Sequence, residues 1–180
     1  MTTLEIRRHS LRKNTAGSQL SQQGVDLARS LGETMGPFDV VATSVSPRAR
    51  ETAVAMGFAV DQEVVTLGTD PGLTDESETS QWWTAPEPFA ALAEVVALGG
   101  AYHLYAHSLA GLWRDLMTPL SNDQSVLVVG HSGELEAALV ACLPDGDFAS
   151  WGGPFGCCEG ARLTYTARFT EVEFLRLPAE

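Results

Sequence analysis

The sequence predicts a three-layer α/β/α sandwich built on a mostly parallel central sheet. Three short strands are predicted at residues 3–7, 38–42 and 125–129, of which the last two are apolar runs, and each leads into a polar loop. A segment with the apolar spacing of a helix then follows each strand. This alternation of strand, loop and helix is typical of βα units, whose strands pair in parallel and carry helices on both faces. The length of 180 residues suits one such domain, spanning residues 1–180.

Capping residues indicate the helix boundaries in the first half of the chain. Ser21 is a suitable N-cap for a helix that continues to about Met35, where a Gly-Pro pair ends it. Pro47 suits the first turn of a second helix, which ends near Met56. A short third strand is predicted over residues 63–67.

Residues 68–110 are predicted to lie on the substrate side of the sheet, as an irregular loop over 68–88 followed by helical segments. A loop of this length inside a compact domain is usually either functional or disordered. The other predicted elements are helices over 90–98 and 104–116, a buried strand over 125–129, a helix that Ser132 caps and that continues to about Cys142, and two last strands over 161–168 and 171–177.

The charge balance excludes several classes of partner. Lysine and arginine number 11 against 23 aspartate and glutamate residues, which gives a formal net charge of -12. Nucleic acid and anionic membrane surfaces both require basic protein surface, so neither is expected as a partner. No apolar run approaches the length of a membrane span and no secretory pattern is present, which predicts a cytoplasmic protein. The oligomeric state stays open.

Cysteine usage gives no sign of a disulfide framework or a zinc site. The cysteines are Cys142, Cys157 and Cys158, an odd number in which two are adjacent. No zinc-ligand spacing occurs, so we expect reduced thiols and neither a metal ion nor another cofactor.

Basic and imidazole side chains follow three of the predicted strands. Arg8 and His9 end the first strand. Arg48 begins the helix after the second strand, and His131 follows the strand at 125–129. In an open α/β sheet the ligand site lies beyond the carboxyl ends of the strands. A guanidinium offers a planar fork of donors to phosphate oxygens, and a neutral imidazole can attack phosphorus or donate a hydrogen bond, so the pattern predicts a phosphate site.

These residues belong to four motifs that resemble those of the histidine phosphatase superfamily, also called phosphoglycerate mutase-like. The motifs are Arg8-His9, Leu20 to Gly24 (LSQQG), Arg48 to Ala53 (RARETA) and Gly130-His131-Ser132. They occur in the family's order and span most of the chain. The resemblance implies a phosphomonoester phosphatase that works through a phosphohistidine intermediate without a metal ion.

The resemblance also implies a role for each matching residue. His9 would attack phosphorus, while Arg8 and Arg48 would hold the phosphoryl oxygens. His131 would donate to the same group from the opposite side. The two arginines are expected to lower the pKa of His9 and so keep its imidazole neutral. The arginines without a matching position, which are expected to be solvated, are Arg7, Arg12 and Arg50.

Two further residue assignments come from comparison with the family pattern. Ser10 stands where the family has glycine, and it either crowds the phosphate or binds it with its hydroxyl. The family commonly takes the proton for the leaving alcohol from a carboxylic acid in the middle loop. The candidates in this chain are Asp75, favoured by spacing, and Glu76, favoured by residue type.

Three alternative functions stand beside this one. A phosphohistidine protein phosphatase fits the modest length, and its better leaving group needs less help from an acid. A catalytically weak phosphate-binding relative fits Ser10 and the lack of one clear acid. A serine hydrolase using Ser132 is disfavoured, because Glu134 replaces the required glycine and no histidine follows His131. The expected partner is therefore a phosphorylated small molecule or a phosphoprotein.

Overall fold

A computed structural model of the chain describes residues 1–14, 18–68 and 71–178. Its strands are β1 (Thr2–Arg8), β2 (Val40–Ser44), β3 (Gln62–Val64), β4 (Ser125–Gly130), β5 (Gly160–Tyr165) and β6 (Phe169–Leu175). Its α-helices are α1 (Gln22–Gly32), α2 (Pro47–Ala55), α3 (Pro71–Ser80), α4 (Pro88–Ala97), α5 (Ala101–Met117) and α6 (Glu134–Cys142). Short 3₁₀ helices cover Val65–Leu67, Trp82–Thr84 and Phe148–Trp151.

The strands form one sheet in the order β3-β2-β4-β1-β5-β6. The first four strands of that order pair in parallel, and β5 and β6 extend the sheet as antiparallel strands. Helices α1 and α2 pack on one face, while α4, α5 and α6 cover the other. The predicted three-layer sandwich with a mostly parallel sheet is therefore confirmed.

Strand β4 separates two parts of the core. Val126 and Val128 pack into the larger cluster under α5 and α6, whereas Leu127 and Val129 pack against α2. Successive side chains of a strand point to opposite faces, so a strand covered on both faces is apolar at every position. This is why β4 was recognisable as a continuous apolar run.

Most predicted elements are present with shifted ends, and the largest difference lies between residues 68 and 88. Helix α3 occupies much of this stretch, of which residues 69–70 lie outside the described part of the chain. Among its described side chains only Leu73 is buried, so the segment has no apolar stripe to signal a helix. Similarly, α6 has Gly133 as its N-cap instead of Ser132.

Parallel pairing brings the carboxyl ends of β1, β2 and β4 to one edge of the sheet. Arg8 is in register with Gly130, and Thr43 is in register with Val129. The N–H of His9, one residue beyond β1, donates to the Gly130 carbonyl at 3.0 Å. The residues that follow these three strands therefore meet at this edge.

Within the described ranges, no single helix is long and apolar enough to cross a membrane. Helices α4 and α5 reach that length and composition only as a pair, which is bent by 98° at the break between them.

The cysteine side chains are unpaired, as expected. Burial raises the pKa of Cys142 to about 12 and that of Cys158 to about 11. Both thiols are therefore protonated near neutral pH, which makes them poor nucleophiles.

Candidate active site

His9 is buried at the end of β1, with 6% of its surface exposed. Its ring Nδ1 lies 2.8 Å from the Ser10 carbonyl oxygen, which can only accept, so Nδ1 carries the proton and Nε2 the lone pair. Burial lowers the pKa of His9 to about 4; the bond to Ser10 opposes this shift, and the charges of Arg48 and Arg8 add to it. The imidazole is therefore neutral near neutral pH, as a nucleophile requires.

Ser10 is fully buried, and its polar atoms bond within the protein. Its hydroxyl donates to the Gly24 carbonyl at 2.7 Å, and its N–H donates to Oγ1 of Thr52 at 2.9 Å. Thr52 in turn donates to the Arg48 carbonyl at 2.7 Å. Because the hydroxyl proton is committed to Gly24, this arrangement does not support the predicted donation from Ser10 to phosphate. Ser10 instead ties the loop after β1 to α1 and α2.

The LSQQG motif allows α1 to approach that loop closely. A Cβ atom at Gly24 would lie 2.2 Å from the Leu11 carbonyl oxygen, so only glycine fits this position. Ser21 accepts the Gly24 N–H at 3.0 Å and caps the helix, which confirms the predicted N-cap.

His131 follows β4 and faces His9, with the two ring centroids 5.3 Å apart in an edge-on arrangement. Its Nε2 lies 2.7 Å from the Ser44 hydroxyl oxygen. Its Nδ1 is buried and has no hydrogen-bond partner within the described residues. Burial lowers the pKa of His131 to about 3, and the charge of Arg48 contributes to the shift.

Arg8 and Arg48 bring guanidinium groups to the same place. Nη1 of Arg8 donates to the Phe155 carbonyl at 2.6 Å, which anchors that side chain. The Nε atoms of both arginines are buried without a partner in the described part of the chain. Burial lowers the pKa of Arg48, the charge of Arg12 adds to this effect, and the charge of Glu134 opposes it. The site is therefore a compact cluster of positive charge and N–H donors around two neutral imidazoles.

The three arginines that match no position in the motifs differ in their surroundings. Arg7 was expected to be solvated but is buried, where it pairs with Glu5 at 2.8 Å, whereas the exposed Arg50 pairs with Glu63 at 3.3 Å. The side chain of Arg12 is exposed, but its charge is close enough to contribute to the lowered pKa of both histidines of the site. The sequence placed Arg12 among the solvated arginines, and its short spacing from the first motif was the only signal for a role at the site.

The carboxylate of Glu136 is fully buried and fixes the loop after β4. It accepts the Gly133 N–H at 2.6 Å, the Ser132 hydroxyl at 2.9 Å and the Phe155 N–H at 2.7 Å. Because the Phe155 carbonyl anchors Arg8, one carboxylate links the position of the second histidine to that of the Arg8 guanidinium. The sequence alone did not identify this residue.

The two predicted acids lie on α3, away from this cluster. Asp75 is exposed, and both Asp75 and Glu76 line a separate cavity near the end of α4. The Glu76 carboxylate accepts the N–H groups of Ala101 at 2.5 Å and Tyr102 at 2.8 Å, and so caps α5. Neither residue lines the cavity beside the second histidine.

That cavity has a volume of about 290 Å³. Its lining includes Ser132, Gly133 and Glu134, which directly follow the second histidine, together with Trp82 and Tyr102. Nε1 of Trp82 donates to the Tyr102 hydroxyl at 3.0 Å, so this part of the wall is held in place. The cavity offers room for a small organic group next to the cluster of donors.

Among the described residues, no group of three or more histidine, cysteine, aspartate and glutamate side chains is placed to hold a metal ion.

Comparison with known proteins gives structural matches only. No protein-family model and no curated protein matches the sequence. Phosphoserine phosphatase from Entamoeba histolytica aligns with a TM-score of 0.65 and 15% identity over 98% of both chains. Phosphoglycerate mutase from Bacillus anthracis aligns with a TM-score of 0.65 and 18% identity over 96% of this chain and 92% of its own. Native mycobacterial glucosyl-3-phosphoglycerate phosphatase aligns with a TM-score of 0.64 and 18% identity over 96% of both chains.

These alignments define the fold class. Over nearly its whole length the chain has the fold that these two phosphatases and the mutase share. All three belong to the histidine phosphatase superfamily, so the resemblance that the motifs predict is confirmed at the level of the fold. At these sequence identities the likeness speaks for the fold, and the chemistry rests on the residues of the site.

Proposed function

We propose that this chain hydrolyses phosphomonoesters through a phosphohistidine intermediate on His9. The observation that carries the proposal is a set of buried N–H positions beside this residue. Nε of Arg8, Nε of Arg48 and Nδ1 of His131 have no partner among the described residues. Buried donors are normally satisfied, so such a cluster suits an anion with several acceptor oxygens, as a phosphoryl group has.

In the first step Nε2 of His9 attacks phosphorus. The N–P bond forms as the P–O bond to the alcohol breaks, and the electron pair leaves with the alcohol oxygen, which takes up a proton. The hydrogen bond from Nδ1 to the Ser10 carbonyl holds the ring and stabilises the positive charge that develops on it. Arg8 and Arg48 stabilise the negative charge on the phosphoryl oxygens.

In the second step water attacks the phosphorus of phospho-His9. The new O–P bond forms as the N–P bond breaks, which releases phosphate and the neutral imidazole. The proton of the attacking water returns to the group that protonated the alcohol, so the cycle closes.

His131 serves both steps as a hydrogen-bond donor. Oγ of Ser44 accepts the N–H of Ser46 at 3.3 Å, which leaves the Ser44 hydroxyl proton for Nε2 of His131. The ring proton of His131 then resides on Nδ1 and points a donor at the phosphoryl group. This is the role that the resemblance implied for the residue.

The proposed mechanism uses guanidinium groups where other phosphoryl-transfer enzymes use a metal ion. Arg8, Arg12 and Arg48 supply the positive charge. The proposal therefore includes turnover that survives a chelator.

A phosphorylated small molecule is the favoured substrate. The cavity of about 290 Å³ beside the site suits a small alcohol, whereas a side chain on a protein surface needs an open approach. A phosphohistidine protein stays the second candidate, because neither Asp75 nor Glu76 lines this cavity and phosphohistidine needs less acid assistance.

The experiment is hydrolysis of para-nitrophenyl phosphate in the presence of EDTA. The wild type should turn over, and His9→Ala should not. Arg48→Gln should lower kcat/KM by about 10²–10³-fold, because it removes charge that stabilises the transition state. Arg50→Gln is the matched control: this arginine lies two residues further on and pairs with Glu63, so kcat/KM should change less than about threefold.

The intermediate can be trapped by denaturing the enzyme in base during turnover. A phosphate adduct on the peptide that contains His9, stable to base and lost in acid, is the expected product. Phosphate binding without turnover would favour the inactive relative. Turnover that continues in His9→Ala would contradict the phosphohistidine mechanism. Faster turnover of a phosphohistidine protein than of small esters would favour a phosphohistidine protein phosphatase.

A further inference from the structure

Glu134 is a buried carboxylate at the first residue of α6, with 5% of its surface exposed. Its charge opposes the lowering of the pKa of Arg48 by burial and by Arg12. Burial raises the pKa of the Tyr102 hydroxyl, and the charge of Glu134 raises it further. The charge of Glu134 therefore acts on both Arg48 and Tyr102, and Glu134 lines the cavity of about 290 Å³.

Local backbone geometry places Glu134 there. Gly133 has a φ of 94°, a conformation that favours glycine, and it turns the chain directly into α6. The buried carboxylate of Glu136 fixes this turn by accepting the Gly133 N–H. Because this turn directly follows His131, its residues form the part of the cavity wall next to the second histidine.

We infer that Glu134 is the general acid that protonates the leaving alcohol, and that the cavity it lines receives this alcohol. The inference rests on the proposed function and adds to it the proton donor and the class of substrate.

The position of Glu134 explains why α3 does not need to supply the acid. Glu76 is engaged in capping α5, and Asp75 is exposed beside a different cavity. Among the described residues that line the cavity next to the histidines, Glu134 is the one with a carboxylate side chain.

Proton transfer through Glu134 balances over the two steps. When the dianionic phosphoryl group enters beside this buried side chain, like charge favours the protonated carboxyl. As the P–O bond breaks, the carboxyl O–H gives its proton to the alcohol oxygen, which prevents an alkoxide from forming. In the second step the resulting carboxylate takes the proton of the attacking water, and the carboxyl is restored.

The lining of the cavity indicates the class of alcohol. Leu73, Trp82 and Trp83 contribute apolar and aromatic surface, and the described lining includes no lysine or arginine. An alcohol that bears its own carboxylate would therefore be repelled by Glu134 and would find no lysine or arginine in the described lining to bind it. The cavity suits an uncharged alcohol with a carbon-rich or aromatic skeleton.

The test compares two leaving groups in wild type and Glu134→Gln. Nitrophenolate leaves para-nitrophenyl phosphate without a proton, whereas the alkoxide of benzyl phosphate needs one. In Glu134→Gln we expect kcat/KM for benzyl phosphate to fall about 100-fold or more, and the fall for para-nitrophenyl phosphate to be at least about tenfold smaller, because kcat/KM reports only the steps up to loss of the leaving group. Glu94→Gln, an exposed carboxylate on α4, is the matched control and should change neither value.

Equal losses on both substrates, or no loss on either, would overturn the role of Glu134. A leaving-group-dependent loss in Asp75→Asn instead would return the role to α3. If Glu134→Gln fails to fold, the wild type still decides, because an enzyme with an acid shows a shallow dependence of rate on leaving-group acidity across substituted phenyl phosphates and a steep dependence contradicts it. Loss of the proposed function is recognised separately, by absence of nitrophenyl phosphate turnover in the wild type or its persistence in His9→Ala.

The alcohol class has its own measurement. Wild-type kcat/KM should be at least about tenfold higher for benzyl phosphate than for phosphoglycolate, whose alcohol carries a carboxylate. The reverse order would overturn the assignment of an uncharged alcohol.

Discussion

His9 and His131 are the residues whose protonation state decides the chemistry. Both are buried, and Arg8 and Arg48, the proposed phosphate-binding residues, also disfavour a positive charge on either ring. The same guanidinium groups therefore serve two purposes. In the proposed mechanism they attract the phosphoryl anion, and they keep the His9 imidazole nucleophilic while that of His131 stays a neutral donor.

A pH titration by NMR tests this directly. The pKa of His9 is lowered to about 4 and that of His131 to about 3, so both rings should stay neutral as the pH falls from about 8 to about 5. Their ring C–H resonances, assigned with His9→Ala and His131→Ala, should not shift over this range. A midpoint near the ordinary histidine value for either ring would contradict the proposed electrostatics.

Individual site residues were predictable where they follow a recognisable strand. Arg8, His9 and His131 each end or follow a predicted strand, and their residue types indicate the chemistry they can perform. Glu134 was not predictable in this way, because its place depends on the left-handed backbone of Gly133 and on where α6 begins. Such a turn leaves no periodic pattern in the sequence.

At the scale of elements, the site depends on loops that are fixed by buried hydrogen bonds. Glu136 binds the turn before α6 and the Phe155 N–H, and the Phe155 carbonyl accepts from Arg8. These hydrogen bonds therefore fix the turn before α6, Phe155 and the end of β1 relative to one another, although the three are distant in sequence.

Replacement of Glu136 should therefore weaken both stability and activity. Both carboxylate oxygens of Glu136 accept hydrogen bonds, and in Glu136→Gln an NH₂ group replaces one of them. At least one buried N–H donor then lacks an acceptor, so we expect the free energy of unfolding to fall by about 2–3 kcal/mol. Urea denaturation measures this, with the exposed Glu94→Gln as control. A change equal to that of the control would show that the carboxylate does not hold the loops together.

The elements themselves differed in how far the sequence could predict them. Strand β4 is covered on both faces, so side chains pointing to either face are apolar and the strand is visible in the sequence as a continuous apolar run. Helix α3 buries little more than Leu73, and its ordering depends on tertiary contacts such as the bonds from Glu76 to the start of α5. A helix that is stabilised mainly by tertiary hydrogen bonds, and not by burial of an apolar face, has no amphipathic pattern in its sequence.

At the scale of the whole molecule, an acidic chain with a formal net charge of -12 gathers arginines at one edge of its sheet. The donors come from positions 8, 48 and 131, which only the parallel sheet brings together. The unfolded chain therefore has no comparable anion site, and a bound anion stabilises the native state alone.

This linkage predicts a rise in Tm with inorganic phosphate. At about 100 times its Kd, a ligand of the native state adds about 2.7 kcal/mol, which for a domain of this size corresponds to roughly 5–10 °C. Thermal unfolding should show this rise in wild type and in Arg50→Gln, and a much smaller one in Arg48→Gln at the same phosphate concentration. An equal rise in Arg48→Gln would mean that phosphate stabilises the protein elsewhere, because the three strand ends form one site only when each contributes its donor.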